Sequence, residues 1–219
     1  MPKPVKTPKT TPARTTFRHG DLHRALLSAG VELARTGGPT AVVLREATRR
    51  AGVAPNAAYR HFSSHAELLA AVRAHALSQL ARAIEAEIAT IPPRSRGAAL
   101  ARAHLRAVGI GYLTFALHNP GLFRTAFSNP QPVADDSDKA KTGASGLNPF
   151  QLLSHALDLM VLHRLLPTRR RAHAEYLAWS AVHGFAFLVI DGPLHGASPT
   201  DIRALSERLI LMVEKGLSA

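Results

Sequence analysis

The stretch GVAPNAAYRHFSSHAELL, residues 52–69, gathers many anion-donating groups in a short span. Tyr59, Arg60 and His61 follow one another, with Pro55, Asn56 and Ala57 just ahead. A phenol, a guanidinium and an imidazole can each donate to a phosphate oxygen. Asn can hold adenine through two hydrogen bonds, an alanine methyl can touch the thymine methyl, and Arg60 can reach a guanine or a phosphate. Arg45 opens the preceding helical pattern, where backbone N–H groups beside it also favour an anion. Arg18 and Thr40 are further candidates for contact with the same anion. Taken singly, each side chain has a structural explanation in capping, turn chemistry or packing. Their combination points to a polyanion.

Other chemistries find less support. The chain has no cysteine, which excludes disulfides, thiolate catalysis and Cys-ligated zinc. It contains no G-x-S-x-G, no phosphate-binding glycine loop and no H-E-x-x-H, so no enzyme is expected. His19/His23 and His61/His65 are spaced i, i+4, as two ligands on one helix face would be, but no nearby third ligand completes either pair. No metal or other cofactor is expected. Further along, Tyr112, Phe115, His118, Phe123, Phe127, Leu153, Leu157, Met160, Trp179 and His183 are the candidate lining of an apolar small-molecule cavity with one or two polar anchors. The same residues equally suit an ordinary core. Gly109 and Gly111 interrupt a helical pattern at about 1 kcal/mol each, which calls for a kink or a close approach.

The charge is unevenly divided. Residues 1–65 hold 11 Lys/Arg against 3 Asp/Glu, and residues 66–219 hold 16 against 12. The excess at the front of the chain suits a nucleic acid. Residues 1–16, rich in Pro, Thr and Lys, predict a disordered basic tail whose Lys3, Lys6, Lys9 and Arg14 could graze a phosphate backbone. The tail lacks the apolar run of a signal peptide, and the run AFLVI is too short to span a bilayer, so a cytoplasmic protein without membrane contact is expected.

The elements that must position these groups are helices. Apolar residues at helical spacing, with Gly and Pro breaks between them, predict segments over about 19–36, 44–51, 55–61 and 64–90. Further helices are predicted over 95–118, 120–127, 148–165, 169–190 and 199–217. No strand alternation or repeat competes. The fold class is all-α: the tail, a three-helix head over 17–65, and a larger helical body over 66–219. The polar segment NPQPVADDSDKAKTGASGLNP in the body reads as a mobile loop.

Two short helices joined by a Gly-containing turn match a DNA-binding helix-turn-helix, whose second helix enters the major groove. At LREATRRAGVAPNAAYRHFSSHAELLAAV the head resembles the N-terminal domain of the tetracycline-repressor (TetR) family over about residues 17–75. Leu44, Arg45, Ala51, Gly52, Val53, Tyr59, His61, Phe62, Leu68 and Leu69 carry that pattern. Three positions depart from it. Val43 stands where a Ser or Thr cap is usual, Ala47-Thr48 where Ile-Ala is usual, and His65 where a phosphate-contacting Lys is usual.

The W-x-x-x-H-G run starting at Trp179 resembles the C-terminal domain of a TetR subgroup named for Trp, His and Gly. Ile202, Leu205, Leu209, Met212, Val213 and Leu217 form one apolar stripe. Trp179, Val182, Ala186, Phe187 and Ile190 form another, beside small Ala178, Ala181 and Gly184. Such a pair predicts a homodimer through the last two helices, with two heads on a near-palindromic operator. The resemblance implies a transcriptional repressor released from DNA when an unidentified small molecule enters the body. The alternative from the basic tail is a low-specificity architectural DNA-binding protein.

Overall fold

The computed structural model describes residues 19–129 and 136–218, and the described residues are helical with no strand among them. Arg18 and the basic tail lie outside the described residues. Helix α1 (His19–Gly37) turns Leu22, Leu26 and Leu33 inward. Gly38 then takes φ 69° and Pro39 opens a 3-10 turn. Helices α2 (Leu44–Arg50), α3 (Pro55–Ala58) and α4 (His65–Ala89) follow. Gly52, at φ 68°, ends α2 in the left-handed region that a residue without Cβ enters at no steric cost.

The helix expected over 55–61 stops at Ala58. The amides of His61 and Phe62 both return to the Ala58 carbonyl at 2.9 Å, which tightens the chain into a turn. That turn delivers Phe62 to the core, where it is 1% exposed. Ser64 then caps α4 by accepting from the Glu67 amide at 3.2 Å. The Glu67 carboxylate reaches back to the amide and hydroxyl of Ser63, at 2.7 Å each.

The body comprises α5 (Gly97–His118), α6 (Pro120–Ala126), α7 (Pro149–Leu162), α8 (Ala174–Ile190) and α9 (Pro199–Ser218). Gly111 accounts for how closely α5 lies on α4, since a Cβ there would stand 2.6 Å from the Ile84 Cα. At Gly109 it would stand 3.1 Å from the Ile210 side chain on α9. A similar intimacy joins α6 to the head. Gly121 sits against the carbonyls of Ala34 and Arg35 at the end of α1, and Arg35 Nη1 donates to Asn119 Oδ1 at 2.7 Å.

Helix α7 opens on a reciprocal cap, in which Asn148 accepts from the Gln151 amide and Gln151 accepts from the Asn148 amide, both at 2.9 Å. It ends three residues short of the expected 165. Arg164 adopts φ 58°, and the Leu165 amide reaches back to the Met160 carbonyl at 2.8 Å. This is a Schellman ending made without glycine. The segment expected to be helical from 169 makes a 3-10 turn at Thr168–Arg170, and α8 proper begins only after His173, at φ 61°. Arg171 ties α7 to α8 through Asp158 and Glu175 at 2.7 Å each and Ser154 Oγ at 2.8 Å. One contiguous core runs from Leu22 to Leu217, so head and body share it.

Two expectations are corrected. The described part of the polar segment is fastened rather than loose. The Glu85 carboxylate on α4 accepts from the amides of Ala144 and Ser145 at 2.7 and 2.8 Å, and Ser78 donates to the Thr142 carbonyl at 2.7 Å. On α8, the stripe expected to pair between chains is divided: Val182, Ala186 and Ile190, with neighbouring Ala178, are buried within the chain, Trp179 is half-buried, and Phe187 is exposed. On α9, Leu217 is likewise buried. The outward apolar residues are Leu177, Phe187 and Leu188 on α8, and Leu205, Leu211 and Met212 on α9, with Gly184 exposed between them.

Candidate nucleic-acid interface and body cavity

In the head, Thr40, Arg45, Asn56, Tyr59, Arg60 and His65 are exposed, and Ala57 and His61 are half-buried. Pro55 begins α3. These residues occupy the turn before α2, its first turn, α3, the turn after α3 and the start of α4. Packing fixes their frame. Phe62 stacks on the His23 ring at 4.7 Å, the His61 ring stands edge-on to His23 at 6.4 Å, and Leu44, Ala47 and Ala58 close the small core beneath. Tyr59 has no such cover and is 58% exposed. Buried Thr48 spends its hydroxyl on the Arg45 carbonyl at 2.6 Å. No side chain caps α2 at Val43.

Two exposed cations on α2, Arg49 and Arg50, were not among the expected contacts. Both are engaged by Glu46, Arg49 through two bonds of 2.7 Å and Arg50 through one of 3.1 Å. Hydrogen bonds from the two guanidinium groups hold the Glu46 carboxyl down to about 2. The spacing i, i+3, i+4 from Glu46 was the signal for this fork.

The body holds a cavity between α4, α5, α7, α8 and α9. Of the expected lining residues, Tyr112, Phe127, Leu153 and Trp179 stand in its wall. Phe115, Phe123, Leu157 and Met160 pack in the surrounding core instead, and His118 is exposed on α5, with its ring bonded to the Thr114 carbonyl at 2.8 Å. His183 acts from behind the wall: its Nδ1 lies 2.7 Å from the Tyr112 hydroxyl. Trp179 Nε1 donates to the same oxygen at 3.1 Å. The arrangement that leaves no buried hydroxyl hydrogen unpaired has Tyr112 donating to a neutral His183. Burial pushes the Tyr112 hydroxyl well up, against the smaller pull of Trp179, and pushes the His183 imidazole down, so both stay uncharged.

Sequence reasoning missed the α4 wall (Leu77, Leu80 and Ile84), Phe150 at the mouth of α7, and the polar corner of Asp136, Lys141 and Asn148. In that corner Lys141 Nζ donates to Asp136 at 2.6 Å, and the Asn148 side chain donates to the Asp136 carbonyl at 3.0 Å. Burial raises the Asp136 carboxyl, but the Lys141 hydrogen bond, the Asp138 amide and the Lys141 charge together outweigh it and hold it below the ordinary carboxylate value. Among the described residues no group of three or more His, Asp or Glu could hold a metal ion, and no helix is long and apolar enough to cross a membrane.

The comparisons agree with this geometry. Residues 26–72 match the family described as bacterial regulatory proteins, tetR family, and residues 105–213 match the tetracyclin repressor-like C-terminal domain. No curated protein matches the chain. A Rhodococcus sp. RHA1 protein of unknown function shares the fold with a TM-score of 0.72 at 22% identity, covering 94% of this chain and 100% of that one. A protein described as a regulatory protein, SCO4313, gives 0.59 at 18% identity, over 90% and 98%. A protein described as a tetR family transcription regulator from Shewanella sp. PV-4 gives 0.59 at 16% identity, over 86% and 95%. The chain belongs to the TetR family of bacterial transcription regulators, with a DNA-binding helix-turn-helix head and a helical C-terminal domain.

Proposed function

We propose that the protein is a homodimeric repressor that sits on a near-palindromic operator and leaves it when a small molecule fills the body cavity. One observation carries the reading. Helix α4 is a single 25-residue helix whose first residue, His65, belongs to the DNA-facing set, while Leu77, Leu80 and Ile84 of the same helix wall the cavity. From His65 to Ile84 such a rod covers roughly 30 Å. A ligand that shifts the cavity wall therefore shifts the head. The exposed apolar face of α8 and α9 supports pairing of two chains, because a contiguous face of this kind marks an interaction surface.

In this reading Asn56 and Ala57 meet base edges, with Pro55 setting the start of their helix. Arg18, Thr40, Arg45, Tyr59, Arg60, His61 and His65 meet phosphates, and Arg60 can serve either purpose. The test is a gel shift and footprint of the full chain on DNA upstream of its own gene, against a scrambled duplex, at two salt concentrations. A discrete two-fold footprint on the first duplex alone is expected. Equal, steeply salt-dependent binding to both duplexes would favour the architectural reading and overturn this one.

A further inference from the structure

Resting on the reading of the cavity as a ligand site, we infer that its ligand is an uncharged aromatic molecule about the size of one substituted six-membered ring. The size follows from the space. The cavity volume is about 80 Å³. An apolar cavity of about 150 Å³ takes up benzene, so a single ring is the largest molecule that enters without moving the wall.

The lack of charge follows from the polar groups that the described residues bring to the wall, each of which is already engaged. Tyr112 spends its hydroxyl on His183 and Trp179. Asn148 accepts from the Gln151 amide and donates to the Asp136 carbonyl. Lys141 is neutralised by Asp136 at 2.6 Å, and that carboxylate is held in place by the Asp138 amide at 3.1 Å. An incoming anion would have to evict Asp136, and an incoming cation finds its carboxylate already taken. Either ion would leave water without compensation.

The aromatic character follows from the wall itself. The Phe127 and Phe150 rings lie 5.8 and 6.4 Å from Trp179, and Tyr112 lies 6.3 Å from Phe127, so four rings make one connected part of an otherwise aliphatic wall, where a further ring can join the cluster.

Trp179 is the only tryptophan in the chain, so its fluorescence reports on the cavity directly. The experiment titrates the full chain with toluene, benzoate and benzylammonium. Toluene should give a saturable change, and the two ions should bind at least about 100-fold more weakly. In the double variant Asp136→Ala, Asp138→Ala, Lys141 loses both of its carboxylate partners, which stand at 2.6 and 3.7 Å. Benzoate should then gain at least about tenfold while toluene is unchanged. Val108→Phe, which fills the cavity, should abolish the toluene signal.

The inference is overturned if either ion binds the unaltered chain as tightly as toluene, if toluene gives no saturable change, or if the toluene signal survives Val108→Phe. A parallel gel shift separates it from the reading beneath it. Toluene that binds Trp179's cavity without loosening DNA sinks release by ligand and leaves the ligand class standing. DNA release by benzoate, with no toluene binding, does the reverse.

Discussion

At the scale of single residues, the proposed contacts of the head divide between reading bases and holding phosphates. Phosphates carry no sequence, so Tyr59→Phe and His61→Ala should weaken binding to all duplexes alike. Asn56→Ala should instead relax preference at one base position, by about 1–3 kcal/mol. Affinity profiles over a panel of single-base operator variants check both, and a uniform loss in Asn56→Ala would remove it as a base reader. In the body, three imidazoles are shifted below their ordinary value of 6.5 by burial: His75, with Arg82 and Arg35 adding to the effect; His104, with His155 adding; and His183. The unfolded chain takes up these protons before the folded one does. Stability is therefore full above about pH 6.5 and falls as the pH drops below it. Melting temperatures between pH 7.5 and 5.5 should show the decline, and His183→Gln should show a smaller one.

The residues proposed to face DNA fall on consecutive short elements that the local sequence pattern already predicts, whatever the tertiary packing does. The cavity was less legible. Phe115 and Phe123 are buried just as Tyr112 is, and which of them faces empty space depends on how α4, α7 and α9 close around α5.

At the scale of elements, punctuation by Gly and Pro was readable: Gly37-Gly38-Pro39, Gly52, Pro120 and Pro199 mark real ends and starts. Beside the early stop of α3 at Ala58, the missed ends are at Arg164 and His173, two left-handed residues that are not glycine. No residue type announces such a turn. The orientation of α8 was unreadable for a different reason. Its sequence, AEYLAWSAVHGFAFLVI, is apolar nearly all round, so no polar face identifies the outside. Small residues in α5, by contrast, signalled the close approach now seen against α4. Gly111→Ala would drive a methyl into the α4 backbone, and a loss of about 1–3 kcal/mol is expected in urea unfolding at unchanged slope.

At the scale of the whole molecule, the proposed function needs two chains that present two heads. The exposed apolar residues of α8 and α9 are the place to interrupt that. Phe187→Glu and Met212→Glu, at positions 55% and 61% exposed, should leave the monomer folded and shift the sedimentation of the protein from two chains to one. Operator affinity should then fall by roughly 10²-fold or more, since the second head no longer binds from a high effective concentration. Retained dimers in both variants would move the interface elsewhere.

The head is anchored to the body at two places, through α4 and through the seat of Gly121 and Asn119 against the end of α1. A rigid piece held at one point can swivel freely, but one held at two keeps a single easy motion, a swing about the line that joins them. A head so held would turn about that one line. In a symmetric pair the reading surfaces travel along one fixed arc, so their separation behaves as one mechanical coordinate. Operators with half-sites moved apart by a base pair and operators with half-sites moved closer by one should then be tolerated unequally.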